Sequence, residues 1–212
     1  FSLASCDATP QESTAVLVQF PQAHHINPSD DDVLALVAPT GHSDWLGSYV
    51  LTDEASLAAV SIWRSESAAN AFFGEAWHQR ANASFGAAAT LRRFQVPAQT
   101  AGGASGAARE SAVMSIVSVP VPWYAPGWVV RKRISESVAR YRDVAGLDRK
   151  LFTIASQSRH AGGIYLWTSR SQAEAFFNDA WRQRILETYG EPADVYFGSV
   201  AARLGTLAAP AE

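Results

Sequence analysis

Histidine side chains are the first candidates for acid–base chemistry in this chain, because imidazole titrates near neutral pH. Five are present in the 212 residues. His78 follows Trp77 in an amphipathic segment and could act as a general base, although a histidine on a helix surface is the simpler interpretation. His24 and His25 could bind a metal only with acidic residues from elsewhere in the chain. Neither an HxxxH nor an HExxH spacing occurs, so we predict no metal and no other cofactor.

Aromatic side chains are the second group of candidate site residues. In a dry pocket they would surround an aromatic compound, while arginine or lysine would steady an anion formed from it. We select five aromatic residues as candidate pocket residues: Trp63, Trp128, Tyr141, Tyr165 and Trp181. Aromatic residues on an apolar stripe are more often part of a core, and this alternative applies to Trp63 and Trp181, which both halves of the chain share.

A cluster of aromatic and basic residues distinguishes the second half of the chain. Trp123, Tyr124 and Trp128 have no counterparts in the first half, and a run of basic residues at 131–133 follows them. These basic residues could attract a phenolate or a carboxylate to the mouth of a pocket, or they could form an ordinary solvated helix face.

Composition limits the partners of the protein. The chain is 48% hydrophobic with a net charge of -3, which excludes disorder as the main state and offers no broad basic surface for nucleic acid. No apolar stretch approaches the roughly 18 residues that a membrane span requires. The first half carries net charge -6 and the second +3, which weakly favours association of the two halves.

The single cysteine, Cys6, rules out an intrachain disulfide. The preceding Leu-Ala-Ser matches the end of a bacterial lipoprotein signal, in which the cysteine carries the lipid. We predict a cytoplasmic protein, with an envelope lipoprotein anchored at Cys6 as the alternative.

An internal duplication determines the predicted architecture. A constant shift of 104 residues superimposes 62–80 on 166–184 without a gap. The identical pairs include Trp63 with Trp167, Phe72-Phe73 with Phe176-Phe177, Trp77 with Trp181, and Arg80 with Arg184. A match of this length that includes two tryptophans is strong evidence that the two halves share one fold.

Each half has the periodicity of a β-α-β-β-α-β unit. After the third strand we predict one continuous amphipathic helix, ended by Gly86 in the first half and by Gly190 in the second. In the second half the first helix is predicted over 128–144 and the second strand over 151–155. The unit boundaries follow as 13–96 and 111–204, with a tether at 97–110 and tails at 1–12 and 205–212.

The β-α-β-β-α-β order is that of a ferredoxin-like fold, with a four-stranded antiparallel sheet and both helices on one face. Strands such as 164–167 are apolar on both faces, so the face without helices also needs a dry partner. The equivalent face of the other half is the nearest such partner. We therefore predict an α+β protein in which two tandem ferredoxin-like units form an intrachain pseudo-dimer, and further oligomerisation stays open.

Several segments of the second half resemble the small monooxygenases of the dimeric α/β barrel superfamily, the group that includes antibiotic biosynthesis monooxygenases. The segments are LDRKLF at 147–152, AGGIYLW at 161–167, the helix containing Phe176-Phe177, and Tyr189-Gly190. The resemblance implies that the two sheets form one barrel and that each unit has a pocket between its sheet and its helices. In relatives these pockets hold aromatic polyketides, quinols or haem, and some relatives oxidise the ligand with O2 without flavin or metal.

The resemblance therefore predicts a cofactor-independent monooxygenase that acts on, or binds, a hydrophobic aromatic small molecule. A ligand-binding or stress-associated barrel without catalysis is the first alternative, because no base and oxyanion set can be identified. Haem binding or degradation is a weaker alternative, since Trp63 and His78 only loosely match the residues that haem-degrading relatives use.

Overall fold

Two successive β-α-β-β-α-β units make up this computed structural model, which describes residues 12–21, 26–54, 56–86, 89–104 and 112–205. Cys6, His24 and His25 lie outside the described residues. Unit 1 consists of β1 (Ser13–Pro21), α1 (Asp31–Val37), β2 (Trp45–Thr52), β3 (Ser56–Trp63), α2 (Glu66–Phe72), α3 (Glu75–Phe85) and β4 (Thr90–Ala101). Unit 2 consists of β5 (Val113–Pro120), α4 (Gly127–Ser137), β6 (Leu147–Ala155), β7 (His160–Trp167), α5 (Arg170–Phe176), α6 (Asp179–Tyr189) and β8 (Asp194–Gly205).

The eight strands are joined by hydrogen bonds into one closed barrel. Within unit 1 the order is β4-β1-β3-β2, and within unit 2 it is β8-β5-β7-β6. Both orders are those of the ferredoxin-like fold, which confirms the predicted fold class. The barrel closes because β2 pairs with β8 and β4 pairs with β6, both antiparallel. Each unit thus provides hydrogen-bond partners for the backbone groups of the other unit's edge strands.

Apolar side chains form three separate layers. The middle layer fills the barrel and contains residues of both units, such as Leu17, Val60, Met114 and Ile164. The outer layers lie between each sheet and its own helices, around Trp63 and Trp77 in unit 1 and around Trp167 in unit 2. Strands buried on both faces are the reason that the sequence shows continuous apolar runs instead of alternation.

The predicted tether begins later than expected. Residues 97–101 belong to β4, where Ala98 to Ala101 pair with Phe152 to Arg149 on β6. The register shifts between Gln95 and Ala98, next to Pro97, which has no N–H to contribute to the ladder. The Pro and Gly content of this segment suggested a linker. Its pairing partner, β6, lies some 50 residues away in the sequence, so local composition does not reveal the pairing. Of the predicted tether, the structure describes residues 97–104.

The helix predicted after the third strand is two helices in each unit. In unit 2 the break lies at Asn178, whose amide nitrogen donates to Ala175 O at 2.9 Å. Its amide oxygen accepts from Trp181 N, also at 2.9 Å, and so caps the start of α6. Gly74 occupies the corresponding break in unit 1. Gly86 and Gly190 end the second helices with φ of 64° and 77°, as predicted.

The long helix predicted over 128–144 is also shorter in the structure. It ends at Ser137 and continues as a 3-10 turn over Val138–Tyr141. The hydroxyls of Ser135 and Ser137 donate to the carbonyls of Arg131 and Ile134. Side chains that bind backbone carbonyls in this way compete with helix propagation.

None of the helices in the described residues is long and apolar enough to cross a membrane.

Candidate functional site

A cavity of about 250 Å³ lies in unit 2, between its sheet and its helices. The sheet contributes Val117, Lys150 and Tyr165 to the lining, α4 contributes Val130, and α6 contributes Trp181. The segment between β5 and α4 forms a further side, through apolar residues such as Val121. A mostly apolar cavity with a few polar groups is the usual form of a small-molecule site.

Lys150 is the most unusual side chain in this cavity. It lies in β6, directly opposite Tyr165 of β7, and only 3% of its surface is exposed. Its Nζ lies 3.4 Å from the ring centroid of Tyr141, 4.0 Å from that of Phe152 and 4.6 Å from that of Tyr165. Lysine is almost never buried without a carboxylate partner, so an amine enclosed by three rings indicates a functional role.

Burial determines the charge state of this group. The pKa of Lys150 lies well below its usual value, because the protein removes the water that would solvate the ammonium. The three ring faces attract a cation and act in the opposite direction, which limits this shift in pKa. The result is an amine that loses its proton more easily than a surface lysine but is stabilised when it gains one. Such a group is suited to accept a proton from a bound molecule.

The two tyrosines beside Lys150 are neutral. Burial raises the pKa of Tyr165 well above its ordinary value, and burial also raises the pKa of Tyr141. The neighbouring Tyr141 side chain raises the pKa of Tyr165 further. Two neutral phenols offer hydrogen bonds to a bound molecule without competing with it for the Lys150 proton.

Two glycines make room for the lysine side chain. A Cβ added to Gly163 would lie 2.9 Å from Cε of Lys150, and one added to Gly162 would lie 1.9 Å from Val117 O. The glycine pair that contributed to the family resemblance therefore has a local function. It lets the strands approach and leaves space above β7 for the aliphatic stem of Lys150.

The cavity has an electrostatic preference. Among the described residues that line it, two are basic, Lys150 and Arg133, and none is acidic. Arg133 is solvent exposed, so it stands at the open side, whereas Lys150 is deep. A hydrophobic ligand that gives up a proton to Lys150 is favoured here, because Arg133 and the ammonium that then forms are both positive partners for the resulting anion.

The corresponding region of unit 1 is filled by side chains. Ser48 lies at the pairing position of Lys150, opposite Ser61, which is the counterpart of Tyr165. The Ser48 hydroxyl donates to Val37 O at the end of α1, and it lies 3.0 Å from the Ser61 hydroxyl. Trp77 is fully buried, and its indole N–H donates to Leu36 O at 2.9 Å. Small hydroxyls and a buried tryptophan thus occupy the region that is open in unit 2.

The structure brings together three of the six candidate site residues. Tyr141, Tyr165 and Trp181 line the cavity of unit 2. Trp128 is 68% exposed on α4 and directly precedes Val129 and Val130, which do line the cavity.

The other two candidates lie in unit 1. Trp63 is fully buried there and packs against Phe72 and Phe73. His78 lies on α3 of the same unit, with its ring centroid 5.1 Å from that of Trp77. Neither lines the unit 2 cavity, so the only candidate base chosen from the sequence is remote from it.

Lys150 was not among the residues predicted from the sequence. The second strand of unit 2 was predicted to start at Leu151, whereas β6 starts at Leu147 and includes the lysine. One signal was available, because Lys150 and Phe152 are two residues apart and so share a face of the strand. A lysine on the same strand face as a buried aromatic residue indicates either a strand edge or a special site.

Comparison with known proteins supports the fold. No family model and no curated protein matches the sequence. An anthrone oxidase-like protein superimposes with a TM-score of 0.59 at 16% identity, over 94% of this chain and 97% of the other. A ferredoxin-fold protein from Listeria monocytogenes related to antibiotic biosynthesis monooxygenases gives 0.54 at 12% identity, over 91% and 96%. A monooxygenase-like protein from Listeria innocua gives 0.53 at 9%, over 90% and 95%.

The chain has the fold of the dimeric α/β barrel proteins. At these identities the likeness shows the fold alone, and the resemblance predicted from the sequence is confirmed at that level.

Proposed function

We propose that the protein is a cofactor-independent oxygenase whose unit 2 cavity binds a hydrophobic aromatic compound with an acidic C–H or O–H group. The observation that carries the proposal is the buried Lys150 amine, enclosed by three aromatic rings in an otherwise apolar cavity. The structural likeness to an anthrone oxidase-like protein gives it further support.

The first step is a proton transfer. Neutral Lys150 accepts a proton from the substrate, and the resulting ammonium lies between the rings of Tyr141, Phe152 and Tyr165, where it is stabilised. The substrate anion is held by this ammonium and, towards solvent, by Arg133. Exclusion of water strengthens both interactions.

The electrons for the reaction come from the substrate. For a substrate with an activated methylene group, the carbanion gives one electron to O2, and the radical and superoxide combine to form a C–O bond. The peroxide then loses water, as the second hydrogen leaves the carbon and the O–O bond breaks. One methylene compound and one O2 thus give one ketone and one water, so that the carbon is oxidised and both oxygen atoms are reduced. Lys150 returns its proton to the departing hydroxide.

Oxygen consumption tests this proposal. Wild-type protein is incubated with anthrone and with a series of quinols while O2 uptake is followed. We expect Lys150→Met to reduce the rate by about 10²- to 10⁴-fold, the usual contribution of a general base. Ser48→Ala changes the counterpart of Lys150 in unit 1 and serves as the matched control, with an unchanged rate expected.

The pH dependence has a defined sign. Because the reaction needs the neutral amine, the rate should rise with pH through a transition below the ordinary lysine pKa of about 10.4. If no compound in the series consumes O2 but native mass spectra show one bound unchanged, the oxygenase proposal is wrong and a binding protein is favoured. Equal rates for the wild type and Lys150→Met would remove the assigned role of Lys150.

A further inference from the structure

Four large apolar side chains are exposed among the described residues, and three of them lie within six residues of one another in the chain. Trp123 is 83% exposed, Tyr124 71% and Trp128 68%, whereas the fourth, Leu186, is 40% exposed and lies on α6. We refer to Trp123, Tyr124 and Trp128 as the aromatic tip. Exposing three large aromatic side chains in one place is unfavourable in water, so the aromatic tip indicates an interaction surface.

The aromatic tip has a fixed position. One guanidinium nitrogen of Arg159 donates to the carbonyls of Pro122, Trp123 and Ala125, at 2.7, 2.8 and 3.4 Å. The rings of Trp123 and Tyr124 pack edge to face, with their centroids 5.8 Å apart. The backbone that carries these rings is thus held by a side chain from the turn between β6 and β7.

Basic residues outnumber acidic residues in the part of the chain that carries the aromatic tip. Residues 121–142 contain five Lys or Arg residues and one acidic residue. Lys132 is exposed and lies one helical turn after Trp128, so it shares the helix face of that tryptophan. Arg133, Arg140 and Arg142 are also exposed. Tryptophan and tyrosine favour the boundary between water and lipid, and neighbouring basic residues are attracted to anionic headgroups.

The segment that carries the aromatic tip is also the wall of the cavity. Val121, Pro122, Ala125 and Val129 line the cavity and are interspersed along the chain with the exposed aromatic residues. A surface covering the aromatic tip would therefore lie beside the cavity mouth. A second protein could cover the aromatic residues too, but the excess of positive charge and this continuity with an apolar cavity favour lipid.

We propose that the aromatic tip, together with Lys132 and Arg133, docks the protein onto the surface of an anionic lipid membrane, with the mouth of the unit 2 cavity facing the lipid. Hydrophobic compounds dissolved in the bilayer would then reach the cavity without crossing water. Docking does not depend on the oxygenase reaction, so each proposal can fail without the other.

Vesicle binding tests the docking surface. The full chain is sedimented with vesicles of phosphatidylglycerol and phosphatidylcholine, and with vesicles of phosphatidylcholine alone. We expect binding to the anionic vesicles, a blue shift of the tryptophan emission, and release at about 0.5 M salt, where charge attraction is screened. The combined variant Trp123→Ala, Tyr124→Ala and Trp128→Ala should lose at least about tenfold in binding.

Two control variants separate docking from general effects of charge and hydrophobicity. Lys132→Glu should weaken binding by about fivefold or more, whereas Arg80→Glu, which makes the same charge change on α3 of unit 1, should not. Leu186→Ala removes an exposed apolar side chain outside the aromatic tip and should also leave binding unchanged. Unchanged melting curves would show that the variants are folded.

Three results would overturn the docking proposal. One is no binding to anionic vesicles, and another is equal binding by the wild type and the combined variant. The third is a wild-type dimer that the combined variant abolishes, without vesicle binding, which would assign the aromatic tip to contact between two copies of the chain.

Discussion

Units 1 and 2 share one backbone fold, but only unit 2 has the lysine-containing cavity described above. The difference arises at two facing strand positions, where unit 1 has Ser48 and Ser61 and unit 2 has Lys150 and Tyr165. The serine hydroxyls bond to each other, and the helix layer lies directly on them through the Ser48 bond to Val37 O. In unit 2 a long side chain and a ring occupy these positions, and both line the cavity between the sheet and the helices. Two units can therefore share one architecture while the region between sheet and helices is packed core in one unit and a candidate binding site in the other.

The tryptophans that correspond under the 104-residue shift show the same contrast. Trp77 is fully buried and tied to Leu36 O, so α3 of unit 1 is fixed against α1. Trp181 is half-buried, packs edge to face on Phe177 and forms part of the cavity wall. One residue type at one position in the repeat thus stabilises the core in unit 1 and shapes the cavity in unit 2.

The largest stability difference should come from these two tryptophans. We expect Trp77→Ala to lower the free energy of unfolding by about 3–5 kcal/mol, because it leaves a void and an unpaired carbonyl in a closed core. Trp181→Ala, in a region that is already open, should cost about 1–2 kcal/mol. Urea denaturation measures both changes. Equal losses would contradict the contrast between a closed and an open unit, and Trp77→Phe provides a milder variant if Trp77→Ala does not fold.

A smaller difference in the free energy of unfolding is expected from substitutions at a second pair of corresponding positions. In unit 2 the Trp167 indole N–H donates to Ser115 Oγ at 2.9 Å. In unit 1 the position of Ser115 is occupied by Val16, and the buried Trp63 N–H has no hydrogen-bond partner among the described residues.

Ser115→Val should therefore reduce the free energy of unfolding by about 1–3 kcal/mol, since it leaves the Trp167 N–H buried and unpaired. Val16→Ser is the matched change in unit 1. It provides a partner for Trp63 but removes apolar burial, so its net effect should stay within about 1 kcal/mol. Chemical denaturation would reveal both effects, and a neutral Ser115→Val would mean that the hydrogen bond of unit 2 contributes little.

The smallest expected effect is the pH dependence of stability, and its sign follows from the lowered pKa of Lys150. The pKa of this amine is lower in the folded protein than in the unfolded chain, so between these two pKa values the unfolded chain binds more protons. Stability contributed through Lys150 should rise as pH increases through this window and be lost as pH falls through the folded pKa. The wild type should therefore gain stability relative to Lys150→Met as pH rises towards about 10.4. A constant difference across this range would show that Lys150 keeps its ordinary pKa.

The elements that could be predicted from the sequence are those with a local signal. The shift of 104 residues aligned the strands and helices of the two halves, and a glycine at each helix end indicated the left-handed residues at 86 and 190. The break at Asn178 was missed because the apolar stripe continues across it, although asparagine is a frequent helix cap. The extension of β4 to Ala101 was missed because its partner, β6, is distant in sequence.

The candidate site was predicted only in part, for a related reason. Tyr141, Tyr165 and Trp181 were selected as aromatic residues of unit 2, and all three line the cavity. Lys150 was not selected, because a lysine next to a predicted strand end is usually solvated. Its burial becomes visible only when the rings from the 3-10 turn and from β7 are placed around it.

The sequence by itself determined the repeated β-α-β-β-α-β order, because strand and helix periodicities are local properties. The same periodicities also occur in both halves of the chain. It also determined that both faces of each sheet are apolar, which requires a second sheet as partner. Only the tertiary structure decided which unit keeps a cavity, because cavity volume depends on side chains from separate strands and helices that meet in space. The same is true of the charge of Lys150, since desolvation depends on everything that surrounds the amine.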